Sequence, residues 1–212
     1  MSKLQLKAMD IRIMRVQIVG VSSLIQHKWS EKAKEQMREK HAGRKTKTRE
    51  ARDPEGEAVA ATYICADGRY GMPAGAIRKC LIGAAHKDLG IEKTLTRKSF
   101  FIMTDDPDGL VPMVTSGPKL REDYVSVGMG TDLRYRPEFM DWAIPLTIEF
   151  DAEMLTPSDI LTLFDRAGFG VGLMEWRPER DGDHGRFRID TSVEVTVSAK
   201  PPVEYRVLEG AA

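Results

Sequence analysis

The sequence predicts a single α+β domain in which half-buried strands pack against two amphipathic helices. Three segments place apolar side chains at every second position, the period of a strand with one buried face: residues 11–20, 144–150 and 187–197. Two further segments, residues 74–86 and 156–167, repeat apolar side chains at the spacing of one helix face. At 212 residues with 42% hydrophobic content, the chain is long enough to bury a core around these elements.

The first predicted strand is followed by a charged helix and a basic loop. The helix is predicted over residues 31–41, with Ser30 as its candidate N-cap. Residues 42–57 show no apolar period, so we expect a solvated, mobile loop. A basic run that overlaps this loop contains Arg38, Lys40, Arg44, Lys45, Lys47, Arg49 and Arg52. Its local excess of about five positive charges suits a phosphate backbone, although an ordinary solvated surface would carry the same pattern.

A hairpin and a helix are predicted next. The dipeptide Asp67-Gly68 suits the positive φ angles of a tight turn, and it separates residues 63–65 from residues 70–72. Pro73 and the apolar stripe that follows predict a helix over residues 74–86. This helix is the first of the two that are expected to cover the sheet.

Two compact apolar runs, residues 100–103 and 110–114, predict strands that pair with each other. The segment between them holds three aspartates together with Pro107 and Gly109. This composition indicates a turn rather than a metal site.

The C-terminal half contains a segment of uncertain structure, a strand, a helix and a final strand. Residues 115–141 lack a sustained period and are interpreted as an insertion. Residues 144–150 alternate clearly, and Pro145 within them predicts an edge strand or a bulge. Thr156 begins the best-marked helix as its N-cap. One long final strand is predicted over residues 187–197.

The order of these elements contains the βαββαβ plan of a ferredoxin-like, or RRM-like, core. Two large insertions, at about residues 22–72 and 115–141, lie outside that plan. Because no repeat and no linker is visible, we expect residues 1–212 to form one decorated domain.

A glycine-rich segment between the last helix and the last strand resembles a known family. It reads Ala-Gly-Phe-Gly-Val-Gly-Leu-Met-Glu-Trp-Arg-Pro-Glu-Arg-Asp-Gly-Asp-His-Gly-Arg-Phe over residues 167–187. Together with Met-Pro-Ala-Gly-Ala-Ile-Arg-Lys over residues 72–79 and the element order, it resembles the RAMP superfamily of CRISPR-associated RNA-binding proteins. The Trp-Arg-Pro-Glu-Arg stretch departs from the family pattern, and the chain is shorter than many backbone subunits. Both features favour a phage or mobile-element relative.

The resemblance implies a fold that binds single-stranded nucleic acid and, in the backbone-subunit branch, polymerises along it. By position, the glycine-rich loop would consist of Gly168, Gly170, Gly172, Gly182, Gly185 and Arg186. Arg78 and Lys79 would lie at the start of the first helix. The glycines have an alternative role, since they would also serve to cap the helix and permit a tight turn.

Several aromatic side chains stand beside basic ones, a pairing that suits base stacking next to phosphates. A core aromatic flanked by surface charge would give the same pattern. With the basic loop and the glycine-rich loop, the candidate nucleic-acid-binding residues are Lys28, Trp29, Arg44, Lys45, Lys47, Arg49, Arg52, Arg78, Lys79, Arg134, Tyr135, Arg136, Gly168, Gly170, Gly172, Trp176, Arg177, Arg180 and Arg186.

Metal and cofactor chemistry find little support in the sequence. The four histidines show no metal-ligand spacing, and the only cysteines, Cys65 and Cys80, stand far apart within apolar segments. We therefore expect no metal, no cofactor and no disulfide. His27, beside Lys28, is the one candidate general acid or base, although an ordinary surface histidine is the simpler interpretation.

The leading functional hypothesis is a non-catalytic protein that binds single-stranded RNA or DNA and associates with itself or in a larger assembly. One alternative is a metal-independent RNA endonuclease that uses His27. Another is a phage structural or inhibitory module that contacts other proteins, because 32 basic residues against 32 acidic ones give no overall attraction for a polyanion. No pattern identifies a contact to a 2′-hydroxyl, so RNA and DNA both remain open.

No apolar run approaches the roughly 20 residues that span a bilayer, and the N-terminus lacks the apolar stretch of a signal peptide. We expect no membrane partner and a cytoplasmic location in a bacterial cell.

Overall fold

The computed structural model describes residues 9–29, 31–43, 52–88, 90–127 and 130–201 of the chain. Over these residues the fold is α+β, as the sequence predicts, and its sheets are antiparallel. The strands are β1 (Ile11–Gly20), β2 (Leu24–Ile25), β3 (Gly71–Pro73), β4 (Phe100–Met103), β5 (Leu110–Pro112), β6 (Pro118–Val127), β7 (Gly130–Phe139), β8 (Ala143–Asp151), β9 (Phe187–Ile189) and β10 (Thr196–Ala199). The helices are α1 (Glu31–His41), α2 (Pro54–Ala60), α3 (Ala74–Asp88), α4 (Lys93–Ser99) and α5 (Pro157–Gly170).

The main sheet is built around β1. One edge of β1 pairs with β8 from Ile11↔Asp151 to Val19↔Ala143. Its other edge pairs with β10 at one end and with β9 at the other. Since β4 pairs with the far edge of β8, the strand order is β10-β1-β8-β4, with β9 also on β1. The alternation predicted over residues 11–20 and 144–150 therefore belongs to the two internal strands of this sheet, β1 and β8.

Two helices, α3 and α5, pack against one face of the main sheet. Met14 and Ile18 of β1 are fully buried in the same core cluster as Ile77 of α3 and Phe164 of α5. Thr156 caps α5: its hydroxyl accepts from the Asp159 backbone N–H, and the Asp159 carboxylate accepts from the Thr156 N–H, a complete capping box. Both predicted helices are confirmed.

The two strands that were expected to pair with each other find other partners. Strand β4 pairs with β8, and β5 pairs with β3. The predicted turn between them does form, and Asp106 organises it by accepting from the backbone N–H groups of Asp108 (3.0 Å) and Ala66 (2.8 Å). The bond to Ala66 ties this turn to the predicted hairpin around Gly68. The hairpin is confirmed by the antiparallel bridge Ile64↔Tyr70 and by the positive φ of Gly68, +85°. This tie places β5 beside β3.

Pro145 lies in an internal strand, so the predicted edge position is wrong. Ala143 exchanges both backbone hydrogen bonds with Val114, on the side of β8 that faces away from β1. Alternation along the strand turns the Pro145 nitrogen to that same side, past the end of β4 at Met103↔Thr147. The missing N–H therefore leaves no ladder bond unmade.

The single final strand predicted over residues 187–197 is two strands, β9 and β10, in the structure. Asp190 interrupts it, because one carboxylate oxygen accepts from the Ser192 backbone N–H (3.0 Å) and the other from Gln17 Nε2 (2.8 Å). This side-chain-capped turn competes with the strand, so the ladder on β1 resumes only at Thr196.

The prediction of an irregular segment over residues 42–57 is wrong where a helix begins. Helix α2 starts at Pro54, with Asp53 as its N-cap accepting from the Gly56 N–H. Within the basic run, residues 44–51 lie outside the described residues.

The segment interpreted as an insertion, residues 115–141, contains a long antiparallel hairpin. Strands β6 and β7 pair from Pro118↔Phe139 to Val127↔Gly130. Strand β2 adds to the free edge of β7, which gives a separate three-stranded sheet. Among the described residues, no helix is long and apolar enough to cross a membrane.

Candidate nucleic-acid interface

A buried glutamine holds the segment that follows β2 in place. Gln26 is fully buried, its Nε2 donates to the Gly71 carbonyl (2.8 Å), and its Oε1 accepts from the Tyr63 N–H (2.9 Å). Two residues later, the Lys28 N–H donates to the Ala61 carbonyl (2.8 Å). These bonds tie residues 26–28 to residues 61–71 and so fix the path of the backbone there.

Aromatic and basic side chains gather around this segment. The Lys28 ammonium lies 5.9 Å from the centroid of the Tyr63 ring, within the range of a cation–π contact. Trp29, the next residue, is 52% exposed. Glu175 donates its backbone N–H to the Ile25 carbonyl (3.1 Å), which places the neighbouring Trp176 beside the start of the segment.

Trp176 is held open at the surface. Its side chain is 41% exposed. Its backbone adopts a positive φ of 53°, which is uncommon for a bulky residue. One face of its indole lies 6.0 Å from the guanidinium carbon of Arg136. His27 precedes Lys28 in this segment, and the positive charge of Arg134 of β7 acts on the His27 imidazole. We call the set His27, Lys28, Trp29, Tyr63, Arg134 and Trp176 the stacking surface.

A buried ion network supports the stacking surface from below. Arg136 is 0% exposed, and its Nη2 lies 2.6 Å from Asp123 while its Nη1 lies 3.2 Å from Glu175. Arg121 bridges Asp123 (2.9 Å) and Glu138 (3.2 Å) on the same face of the hairpin. This network joins β6 and β7 to the chain at residue 175. Arg136 is therefore an interior residue, and the prediction that it contacts nucleic acid directly does not fit its burial.

His27 lies within this surface as a half-buried ring. Burial lowers the pKa of its imidazole, and the nearby positive charges of Arg134 and Arg136 lower it further, while Glu175 opposes them. The imidazole is therefore neutral at pH 7. Its Nδ1 is buried and has no hydrogen-bond partner among the described residues.

Tyr63 reports the same convergence of charges. Burial raises the pKa of its phenol, the charge of Glu175 raises it further, and that of Lys34 opposes both. The charge of Glu175, from the loop after α5, thus acts on both the Tyr63 and the His27 rings.

The glycine-rich segment packs tightly against itself. A Cβ on Gly182 would collide with the Trp176 backbone, and a Cβ on Gly185 would collide with the Leu173 backbone. Gly185 also requires a left-handed φ of +67°. These glycines are needed so that the loop can close, which agrees with the alternative structural role.

Two of the glycines assigned to this loop, Gly168 and Gly170, belong instead to the last turn of α5. A Cβ on Gly168 would collide with the carbonyl of Phe187, so this residue lets α5 approach β9 closely. A Cβ on Gly170 would meet nothing within 4 Å. Gly172 adopts a positive φ of 71° directly after the helix.

The remaining candidate residues are dispersed. Arg52 forms ion pairs with Glu57 (2.6 Å) and Asp132 (3.4 Å), and its guanidinium carbon lies 5.3 Å from the ring centroid of Tyr135. Tyr135 alternates with Arg134 and Arg136 along β7, so its ring lies on the opposite face of the hairpin from the stacking surface. Arg44, Lys45, Lys47 and Arg49 lie outside the described residues.

Arg78 of α3 is committed to the main sheet. Its Nε donates to the Phe100 carbonyl (3.0 Å) and its Nη2 donates to the Arg97 carbonyl. Its guanidinium carbon also lies 4.5 Å from the Phe101 ring centroid. Lys79 is exposed on the same helix.

The arginines of the glycine-rich segment lie apart from one another. Arg177 pairs with Glu179 (2.9 Å) and donates to the Met174 carbonyl, and Arg180 is exposed. Arg186 places its guanidinium carbon 5.2 Å from the Phe169 ring centroid, on the side of α5.

The structure thus brings Lys28, Trp29, Arg134 and Trp176 together from the predicted set. Tyr63 and the supporting Glu175 were missed. The sequence signal for Tyr63 was a tyrosine at the start of the predicted hairpin, and a tyrosine in a strand is by itself typical of core packing. Over the described residues, no group of three or more potential ligands is placed to hold a metal ion.

Comparison with known proteins assigns no family. No protein-family model matches the chain, and no curated protein matches its sequence. Among 44 matching chains of solved structures, one belongs to a "Cryo-EM structure of the Type III-B Cmr-beta bound to cognate target RNA". The two chains are 11% identical, with a TM-score of 0.47. The match covers 90% of this chain but 61% of the other chain, so this chain spans less than two thirds of that length.

Proposed function

We propose that the chain binds single-stranded nucleic acid, RNA or DNA, through the stacking surface. The observation that carries the proposal is the pair of half-exposed tryptophans, Trp29 and Trp176, held at the two ends of one clamped segment. From Ile25, the contact of residue 175, to Trp29 the chain advances four residues, a reach of at most about 14 Å. That span suits a short run of unstacked bases.

The chemistry of the surface favours nucleic acid over a purely apolar partner. Stacking on aromatic rings tolerates any base, because every base offers a π-face, and contributes roughly 1–3 kcal/mol per base. Lys28 and Arg134 add positive charge beside the rings. Arg136 already neutralises Glu175 from below, since their side chains lie 3.2 Å apart.

The network beneath the surface supports a preorganised site. The bonds of Gln26 and the ion pairs of Arg136 fix both tryptophan-bearing segments before any ligand arrives. Preorganisation lowers the conformational entropy that binding would otherwise lose. The role proposed here is binding without catalysis.

The fold proposal is a ferredoxin-like core of the RAMP type with two insertions, within a single domain. Its support is the arrangement of the main sheet: in sequence β1, α3, β4, β8, α5 and β9–β10 follow the βαββαβ plan, and in space the order is β10-β1-β8-β4. Residues 22–72 and 115–141 would be the insertions. They contribute most of the stacking surface, which fits a common core with an added binding site.

Fluorescence anisotropy with labelled 20-nucleotide oligo(U) and oligo(dT) tests the binding proposal. We expect Trp29→Ala and Trp176→Ala each to weaken binding by roughly 5-fold to 100-fold, as for the loss of one stacked base. Tyr124→Ala is the matched control, because that ring is 72% exposed but lies on the hairpin away from this surface. Equal effects of all three changes, or undetectable binding by the unaltered chain, would refute the proposal.

The basic residues make a separate prediction for the same assay. Lys28→Gln and Arg134→Gln should each flatten the slope of log affinity against log salt by about 0.7, the increment for one phosphate contact in a single strand.

Self-association along nucleic acid is part of the proposal and is tested by light scattering. The complex mass should rise in steps of one 23.8 kDa chain as the oligonucleotide is lengthened. A protein content of the complex that stays fixed at all oligonucleotide lengths would exclude self-association.

A further inference from the structure

A second groove lies between α5 and β9, and both ends of the glycine-rich segment contribute to its lining. It encloses about 590 Å³, and its walls include Leu161, Arg166, Phe169, Arg186 and Arg188. Its shape depends on Gly168, because the absence of a side chain there lets α5 lie directly against the Phe187 carbonyl. The groove is thus set by the packing of a helix on a paired strand rather than by a loop.

An exposed aromatic ring and an arginine form one end of this groove. Phe169 is 71% exposed on the last turn of α5. The guanidinium carbon of Arg186 lies 5.2 Å from its centroid. Since Arg186 occupies one side of the ring, the other side is open to a planar group.

The charge of the groove favours an anion. Three arginines line it against one acid, Asp165. Among the described residues, Arg166 and Arg186 form no salt bridge. Hydrogen bonds from Ser192 and Gln17 lower the pKa of the Asp190 carboxyl, and the charge of nearby Arg188 adds a smaller contribution in the same direction.

The groove is connected to the stacking surface by a continuous stretch of chain. Val21 lines the groove and donates its N–H to the Arg186 carbonyl (2.8 Å), and seven residues later the chain reaches Lys28. The two places are therefore at most about 25 Å apart. A strand bound at one of them can reach the other.

We propose that the α5–β9 groove is a second nucleotide-binding site, in which a base stacks on the open face of Phe169 and its phosphate contacts Arg186 and Arg166. This proposal rests on the proposed function, since it extends the path of the same strand. An acidic peptide would satisfy the same charges, but the open aromatic face beside a stacked arginine is the arrangement that receives a base.

NMR titration of the full chain with a 5′-phosphorylated dinucleotide, read at backbone amides, tests the groove separately from the stacking surface. We expect two sets of shifts, at residues 27–29 and at Phe169 and Arg186–Arg188, which saturate independently. Phe169→Ala should remove the second set and leave the first. Because Phe169 is largely exposed, this change should not unfold the chain. Trp29→Ala should do the reverse.

Affinity for a longer strand supplies the second measurement. Phe169→Ala and Arg186→Gln should each weaken binding of a 20-nucleotide strand by about 5-fold or more, with Arg97→Gln, an exposed arginine of α4 outside the groove, as the control. Shifts at residues 27–29 alone would overturn the groove proposal while leaving the proposed function intact. Shifts in the groove with an acidic heptapeptide but not with the dinucleotide would assign it to a protein partner. Shifts with the dinucleotide at neither place would overturn both proposals.

Discussion

Replacing Arg136 by methionine should destabilise the fold although it removes no apolar surface of the core. Arg136 is 0% exposed, and it pairs with Asp123 at 2.6 Å and with Glu175 at 3.2 Å. Methionine keeps an unbranched apolar stem of comparable length but no charge. The change therefore tests the ion network rather than packing.

The expected magnitude follows from what the change leaves behind. Removing one partner of a buried ion pair costs about 3–5 kcal/mol when the remaining charge is uncompensated. Here Asp123 keeps Arg121, whose Nε lies 2.9 Å from its Oδ1, and Glu175 is partly exposed. In addition, the unpartnered Nε of Arg136 disappears with the change. We therefore expect Arg136→Met to cost about 2–3 kcal/mol of unfolding free energy.

Urea unfolding followed by far-UV circular dichroism measures this cost. Arg134→Met is the matched control, because Arg134 lies on the same strand, is only half-buried, and its ion pair with Asp132 is longer, at 3.7 Å. Such a pair contributes about 0–1 kcal/mol. A cost below 1 kcal/mol for Arg136→Met, or equal costs for the two variants, would refute the assignment of Arg136 as the central residue of the network.

Two further predictions concern backbone space and thiol reactivity. Gly185→Ala should lower the thermal midpoint strongly, because its left-handed φ alone costs on the order of 1–3 kcal/mol and the added Cβ collides with the loop, whereas Gly170→Ala should be neutral or stabilise by up to about 1 kcal/mol. Similar thermal midpoints for the two variants would show that the loop accommodates a side chain at residue 185. Burial raises the pKa of Cys80 to about 12 and raises that of Cys65, so neither thiol should be alkylated by iodoacetamide at pH 8 until urea unfolds the chain. Mass spectrometry detects each adduct, and rapid labelling of Cys80 in the native chain would contradict its burial.

The main sheet and its helices were predictable because each has one apolar face. Met14 and Ile18 alternate on β1, and the stripe of α5 is preceded by its own cap at Thr156. Burial against a common core produces the regular period that the sequence displays. The same logic failed at Pro145, because a proline is tolerated in an internal strand where the neighbouring strand has already ended.

The β6–β7 hairpin could not be predicted in this way. One of its faces is covered by ion pairs of Arg121 and Arg136 rather than by apolar side chains. Arg121, Asp123 and Arg136 take positions on this face where a strand with an apolar buried face would place apolar side chains, so no sustained two-residue apolar period develops. The stacking surface could not be predicted either. It depends on the hydrogen bonds of Gln26 to Gly71 and Tyr63, and these partners are distant in sequence.

The separation of β9 from β10 also has a local origin. Asp190 satisfies its own turn through Ser192 and is bound by Gln17 of β1. A short polar side chain thus outweighs the strand period that runs through Val193. By contrast, the sequence does contain a start signal for α2, because Asp53 before Pro54 is typical of a helix N-cap. The scarcity of apolar residues nearby led us to predict a loop instead.

The central claim is that single-stranded nucleic acid lies on the stacking surface, and photo-crosslinking tests it most directly. A 20-nucleotide strand carrying 4-thiouridine, or its 5-bromodeoxyuridine counterpart, is irradiated with the full chain, and the cross-linked peptides are sequenced by mass spectrometry. We predict cross-links at residues 27–29, Tyr63 and Trp176 for at least one of the two strands. Cross-links confined to other surfaces, such as the exposed Phe101 of β4, would contradict the claim.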